Sequence, residues 1–319
     1  MAKHLDSFFG LDHRPMKTLD EACVQYGFDF DVEKRPLAFA DTEGKRLILS
    51  PYNEQTVRVE SNHPLGCVGL VYTVVPYRDA FAPVEKLIEG GARIVAGGAP
   101  NHGERAYLVL EAEGKIVLAD GDDIVNRFVF QSSHDGSSKI EVRMTPYRKK
   151  NGTTITHDAT RPLAFKHTTL VNSRVSNASK VFDRVNKSWS TFQGAIQRMI
   201  ATKLTEKEAK DMIDMVLGGD VDRDSQRLVN IKTDIFTIYK HTGIGTQIPK
   251  CKGTVFGMME AFAEWADRHR TIRKSNKRSY EAASLDAKLV SDGARKKQKA
   301  FAVAIHLSRQ AQLADLNAV

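Results

Sequence analysis

The densest chemistry in this 319-residue chain is the run Arg143-Met-Thr-Pro-Tyr147-Arg148-Lys149-Lys150, where four cations and one aromatic ring fall within eight residues. Guanidinium and ammonium groups neutralise phosphates, and an aromatic ring stacks on a base of any sequence. The pattern therefore suits one wall of a nucleic-acid groove. The same charges would equally suit a sheet edge that repels other edges. A second concentration lies at residues 268–299, which hold 11 basic and 3 acidic residues. That excess of +8 equals the net charge of the whole chain, so the rest balances to zero. A local excess of this kind is the footprint of a polyanion-binding segment. The expected nucleic-acid-binding residues are Arg143, Tyr147, Arg148, Lys149 and Lys150, with Arg174 and Lys180 on a long helix and Arg268, Arg270, Arg273 and Lys274 opening the basic segment.

Catalytic and cofactor signatures are missing from the sequence. Ten His and three Cys occur without an H-x-x-x-H or C-x-x-C spacing. No G-x-x-x-x-G-K-[ST], G-x-G-x-x-G or G-x-S-x-G is present. Asp120, Asp122 and Asp123 crowd a turn but lack the remainder of a calcium loop. Cys67 lies in the apolar run Leu65-Gly-Cys-Val-Gly-Leu70 and is expected to be a buried thiol. His134 and Asp135 are neighbours in Ser132-Ser-His-Asp-Gly136, and neighbours on a strand point to opposite faces, so a tight turn is expected there rather than a catalytic pair. The expectation is a protein that is not an enzyme and uses no cofactor and no metal.

The elements that must position these groups divide the chain in two. Residues 1–46 form a lead-in, with a capping box at Thr18-Leu-Asp-Glu21 and an alternating segment Phe28–Val32. Residues 47–167 alternate with period two and predict an antiparallel α+β domain. Its candidate strands are Arg46–Leu49, Thr56–Glu60, Val68–Val75, Ala92–Ala96, Ala106–Glu111, Lys115–Ala119, Arg127–Gln131 and Lys139–Met144, with one packed helix at Phe81–Glu89. Residues 168–270 predict a helical domain. Val171, Val175, Ala178, Phe182, Val185, Trp189, Phe192, Ile196 and Met199 step by four and three, which predicts a helix of about 30 residues. Its stripe is long enough to contact another subunit, so a homo-oligomer is expected. Trp189 and Trp265 fall on apolar stripes and read as core. Thr205-Glu-Lys-Glu208 is a second capping box. Residues 271–319 read as a basic, mobile C-terminal segment.

Hydrophobic residues make up 41% of the chain, within the globular range, and no stretch is apolar for the ~18 residues of a membrane helix. The first residues lack an apolar core, so no secretory leader is expected. Three scattered cysteines suit a reducing cytoplasm.

Several segments together resemble a known family. They are Asp20-Glu-Ala22 leading to Gly27-Phe-Asp-Phe-Asp-Val32 and Pro36-Leu37; Leu65-Gly-Cys-Val-Gly-Leu-Val-Tyr72 with Asp79-Ala-Phe81; Gly97-Gly98, Gly103 and Ser132-Ser-His-Asp-Gly136; and, later, Phe165 to Phe182 and Gly253-Thr-Val-Phe-Gly257 to Ala266-Asp267. In order and spacing they resemble the phage/plasmid-like family carrying domain of unknown function 932, over most of residues 18–273. One departure is Asn151-Gly-Thr-Thr154, where the family usually carries a cysteine. The resemblance implies a bacteriophage or mobile element and a bacterial cytoplasm. A distant similarity to phage single-strand annealing recombinases implies basic surfaces, ring or filament assembly and no nucleotide hydrolysis. The expected function is binding of single-stranded DNA and promotion of strand annealing in recombination or replication, without ATP. The alternative is a self-assembling structural or interaction protein of a phage, with no nucleic-acid chemistry.

Overall fold

The computed structural model describes residues 11–119, 121–156, 163–168, 181–218, 225–272, 280–289 and 292–317. Helix α1 (Leu19–Gln25) starts where Thr18 accepts a hydrogen bond from the Glu21 N–H. The Glu21 carboxylate reaches back one residue further than a capping box requires and takes the Lys17 N–H. The chain then buries Phe28 and Phe30 in extended form before it enters a three-stranded antiparallel sheet, β1 (Val32–Ala40), β2 (Leu47–Arg58) and β3 (His63–Gly69). The two strands expected at 46–60 are one, because β2 runs unbroken through Pro51.

A bulge decides the fate of Cys67. Thr56 pairs with Gly66 and Val57 with Pro64, which leaves Leu65 as the extra residue. Past a bulge the alternation changes phase. Leu65 and Val68 both face inward, and Cys67 is an exposed free thiol rather than the buried one expected.

The larger sheet has the order β10-β7-β6-β5-β4, from β4 (Arg93–Gly98), β5 (Arg105–Ala119), β6 (Asp122–Ser133), β7 (Ile140–Met144) and β10 (Leu163–Phe165). The short strands β8 (Tyr147–Arg148) and β9 (Thr153–Thr154) extend it beside β6. Strand β5 absorbs two expected strands. It passes through Gly114, whose φ of +101° admits no side chain cheaply and whose missing Cβ would lie 2.5 Å from the Trp189 indole nitrogen. The helix expected at 81–89 is two short helices, α2 (Tyr77–Phe81) and α3 (Val84–Glu89), parted at Pro83 because proline offers no N–H to continue the first. One face of the sheet buries Leu108, Leu110, Ile124, Phe128 and Phe130 against the N-terminal helices. A short turn, α4 (Pro100–Gly103), in which Asn101 and His102 take left-handed φ of 55° and 59°, precedes β5.

The helical half comprises α5 (Val181–Ala201), α6 (Glu206–Leu217), α7 (Gln226–Thr237), α8 (Val255–Glu264), α9 (Tyr280–Leu289) and α10 (Asp292–Asn317). Helices α7 and α8 each end in a π-helical turn, at Ile238–Thr242 and Trp265–His269. The described part of the expected 30-residue helix is the 21 residues of α5; positions 171–180 of its stripe lie outside the described residues. Trp189, Phe192, Ile196 and Met199 are buried there, and Phe192 stacks on Phe301 of α10 at 5.8 Å. Trp265 is buried too. All ten residues of α8 are buried, so it is the axis of this half.

The segment expected to be a mobile basic tail instead supplies two packed helices. Their polar composition hides a sparse inner stripe, in which α9 buries Leu285 and Leu289 and α10 buries Ala300, Phe301 and Ala304. Small residues let α10 approach α5, α6 and α8 closely enough to form a core without a high apolar content. Among the described residues, no helix is long and apolar enough to cross a membrane.

Candidate nucleic-acid interface

Antiparallel pairing carries three charged residues of the larger sheet into one row. Arg93 on β4 lies opposite Glu111 on β5, and Glu111 lies opposite Arg127 on β6. The Arg93 guanidinium donates to one carboxylate oxygen of Glu111 at 2.8 Å, and Arg127 donates to the other at 3.1 Å. Lys149 brings its ammonium to 3.9 Å from the same carboxylate. Beneath them, the Arg127 guanidinium lies 4.1 Å from the centroid of the Tyr147 ring, a cation–π contact. His13 and Pro15 of the N-terminal segment and Val95 complete an open cavity of about 380 Å³. Among the described residues that line the cavity, three cations, Arg93, Arg127 and Lys149, face one carboxylate, Glu111. Arg93 and Lys149 keep 71% and 46% of their side chains exposed. This geometry can accept an anionic group between the two exposed cations.

The structure divides the basic run of residues 143–150. Tyr147 and Arg148 are successive residues of a strand, so they point to opposite faces. Tyr147 forms the floor of the cavity and is itself buried, as is Arg127 above it, so the ring expected to stack on a base is not available for stacking. Arg148 does not line a groove, contrary to expectation. It is fully buried, with Nε donating to Asp122 at 2.9 Å and a terminal nitrogen donating to Glu260 at 2.8 Å. Burial opposes its charge, but the Glu260 and Asp122 carboxylates more than offset this and hold its pKa above the usual arginine range. Arg143 is also committed. It pairs with Glu141 and donates to the Leu289 carbonyl at 3.0 Å, tying β7 to α9. Lys149 lines the cavity and Lys150 is exposed beside it. Arg268 is exposed and donates to the Asn151 carbonyl at 2.6 Å, while Arg270 pairs with Asp292 on α10. Arg174, Lys180, Arg273 and Lys274 lie outside the described residues.

Arg148 belongs to a sealed ionic network between the sheet and the helices. Asn151 donates to Glu260 at 3.0 Å, Thr154 donates to Asp267 at 2.9 Å, and Lys297 of α10 donates to Asp267 at 2.7 Å. Lys297 was part of the expected polyanion-binding excess, yet it is withdrawn from solvent. Burial lowers its pKa against the pull of Asp267. Of the three acidic residues in the 120–123 turn, Asp122 pairs with Arg148 and Asp123 with Lys115; Asp120 lies outside the described residues. Among the described residues, no group of three or more His, Cys, Asp or Glu is arranged to hold a metal ion.

The Ser132–Gly136 segment ends β6 and opens the turn into β7, as the sequence suggests. Its neighbours are the other family-like segments. A Cβ on Gly66 would lie 2.3 Å from the Asp135 backbone, Thr56 donates to the His134 carbonyl at 2.7 Å, and Tyr72 donates to the Ser133 carbonyl at 2.7 Å. The His134 ring lies 4.1 Å from that of Tyr77, centroid to centroid. Burial, with His167 nearby, pushes the His134 pKa down to about 3, so the imidazole is neutral at ordinary pH. These segments join the small sheet to the large one.

Arg93, Glu111, Arg127 and His13 escape a search for local clusters because 18 and 16 residues separate the members of the row. The signal that could have found them is a charged residue at an inward-alternating position of each of three consecutive strands. No curated protein and no solved structure matches this chain. The family model for domain of unknown function 932 (DUF932) matches residues 64–289, which takes in the row, the turn at His134 and the sealed network apart from Lys297, and the chain therefore belongs to the DUF932 family.

Proposed function

We propose that this protein binds single-stranded nucleic acid, DNA in the first instance, and promotes annealing of complementary strands without ATP, in the recombination or replication of a phage or mobile element. The observation that carries the reading is the open row Arg93–Glu111–Arg127 with Lys149 at its end. Exposed Arg93 and Lys149 are suited to phosphates. Lys150 and Arg268 continue the positive surface around the β8–β9 connection. Annealing asks little more of a protein than this. Cations remove the repulsion between strands, and base pairing supplies the free energy. The test is fluorescence anisotropy of a labelled oligonucleotide, with the joining of two complementary oligonucleotides measured in chelator and without nucleotide. If about six phosphates are neutralised, log K falls with log salt at a slope of roughly −4, from about −0.7 per contact on single strands. Salt-independent binding, or no acceleration of joining at any protein concentration, would refute the reading.

A second reading, self-assembly as the primary role, is favoured by a different observation. The outer half of the β1–β2 hairpin exposes Phe39, Leu47, Ile48, Leu49 and Tyr52, more contiguous apolar surface than a solitary soluble chain normally leaves open.

A further inference from the structure

The charges around the cavity at Glu111 do not cancel. Arg127 holds the Glu111 carboxylate at 3.0 Å, with both side chains nearly buried, and this pair balances itself. Arg93 and Lys149 reach the same carboxylate from exposed positions and bring two positive charges more than it offsets. A proton on His13 would only add to them. Among the described residues, the ion pairs at the margin change nothing, since Arg14 is matched by Asp12 and Lys115 by Asp123. A phosphodiester inside a nucleic-acid strand carries one negative charge. A phosphate monoester, the group on a phosphorylated strand end or a mononucleotide, carries ~1.5–2 at neutral pH and offers three acceptor oxygens. A surplus of two cations therefore fits a monoester better than a diester.

The cavity also has an end. Asp12 exchanges both backbone hydrogen bonds with Gly97, and the Met16 N–H donates to the Ile94 carbonyl, so residues 12–16 lie along the outer edge of β4. His13 and Pro15, between these anchors, wall the cavity on that side. From β6 to β4 the sheet offers two strand spacings, about 10 Å, before the wall. The volume of about 380 Å³ is near the low end of the ~300–1,000 Å³ of small-ligand sites, room for one terminal nucleotide rather than a run of them. The opposite side, past Lys149, leads to the exposed Lys150 and Arg268.

We infer that this cavity takes a phosphate monoester between Arg93 and Lys149, so that in strand binding it captures a phosphorylated strand end, while the rest of the strand leaves past Lys149 toward Lys150 and Arg268. The Arg93 fork is suited to two phosphate oxygens at once, and the Lys149 ammonium acts as a point charge on the third. The source of the phosphate, a strand rather than a free nucleotide, rests on the strand-binding reading; the chemistry of the group does not.

Fluorescence anisotropy of the full-length chain with one internally labelled oligonucleotide tests it. The oligonucleotide carries, at its 5′ or its 3′ end, a hydroxyl, a phosphate, or a phosphate capped as its methyl ester. The capped form keeps the phosphorus but only one charge. A phosphate at one of the two ends is expected to tighten binding about tenfold over the hydroxyl form, the size of one added charge-assisted hydrogen bond, and the methyl ester to recover little of that gain. Arg93→Gln and Lys149→Gln are each expected to abolish most of this preference, with circular dichroism unchanged because both side chains are exposed. A second measurement needs no strand. Calorimetric titration with a mononucleoside monophosphate is expected to show binding to the wild-type chain and none to Arg93→Gln. Equal affinity for all three end groups, or a phosphate preference that survives both substitutions, overturns this inference and leaves strand binding in place. A mononucleotide that binds through Arg93 when no oligonucleotide binds overturns the strand-binding reading and keeps this inference. No binding of either overturns both.

Discussion

Arg127 and Arg148 are both nearly sealed arginines of the same sheet, yet their surroundings make opposite use of the guanidinium. Among the described residues, Arg127 shares the Glu111 carboxylate with Arg93 and Lys149, and the latter two are open to solvent. Arg148 has two carboxylates of its own, Asp122 and Glu260, and no solvent at all. In the first region positive charge exceeds negative, and the surplus can meet an incoming anion. In the second the charges are matched inside the protein, and their work is to hold the sheet to the helices. The number of carboxylates per cation, and whether water reaches them, separates a binding surface from a structural joint better than the cations themselves do.

The sharpest way to break the comparison is to remove one member of the sealed region. Arg148→Ala leaves two buried carboxylates uncompensated and is expected to destabilise the fold by about 3–5 kcal/mol. Urea unfolding followed by tryptophan fluorescence would read it, and a change below about 1 kcal/mol would show that water reaches the network.

Acid should act next at the turn that joins the two sheets, outside both regions. The folded-state pKa of His134 is depressed to about 3, below the ordinary 6.5. The unfolded chain therefore binds this proton and the native one does not. The stability contributed by the neutral imidazole is complete above pH 6.5 and is lost as pH falls toward 3, at up to about 1.4 kcal/mol per pH unit. His134→Phe should flatten that part of the stability–pH curve. An identical slope in wild type and variant would remove His134 from the account.

In the open region, Arg93→Ala with Lys149→Ala is expected to weaken single-strand binding about tenfold, or ~1.4 kcal/mol, and to make the salt slope less negative by about 1.4. Stability should move by less than about 0.5 kcal/mol, because both side chains are well exposed. Loss of stability without loss of binding would reverse the roles assigned to the two regions. The smallest effect is expected at Lys150→Ala, where a slope change of about 0.7 would place one more phosphate beyond the cavity, and no change would end the interface at Lys149.

Much of the fold was legible locally. Period-two alternation and turn residues located β4, β7, the two halves of β5 and the later part of β6, but not β8, β9 or β10, which are too short to show a period, and the step of four and three found Trp189, Phe192, Ile196 and Met199 as core. The Thr205 capping box closes as its spacing dictates, with Glu208 returning the hydrogen bond to the Thr205 N–H at 2.8 Å. These are properties of neighbours within one turn or one strand, and neighbours are what a linear pattern records. Two residues of the basic run, Tyr147 and Lys149, line the cavity.

The amino-acid sequence by itself determined the division into a sheet half and a helical half, most element positions, and the location of positive charge. Tertiary structure decided which charges are available. It buried Arg148 and Lys297 because carboxylates from α8 and the turn after it, remote in the chain, arrive beside them. It turned Cys67 outward because one extra residue at Leu65 shifted the phase of β3. It assembled Arg93, Glu111 and Arg127 into a row because strand register, a long-range property of paired backbones, sets which residues stand opposite one another. A cation's partner is fixed by distance in space, and distance in space between remote residues exists only once the chain has folded.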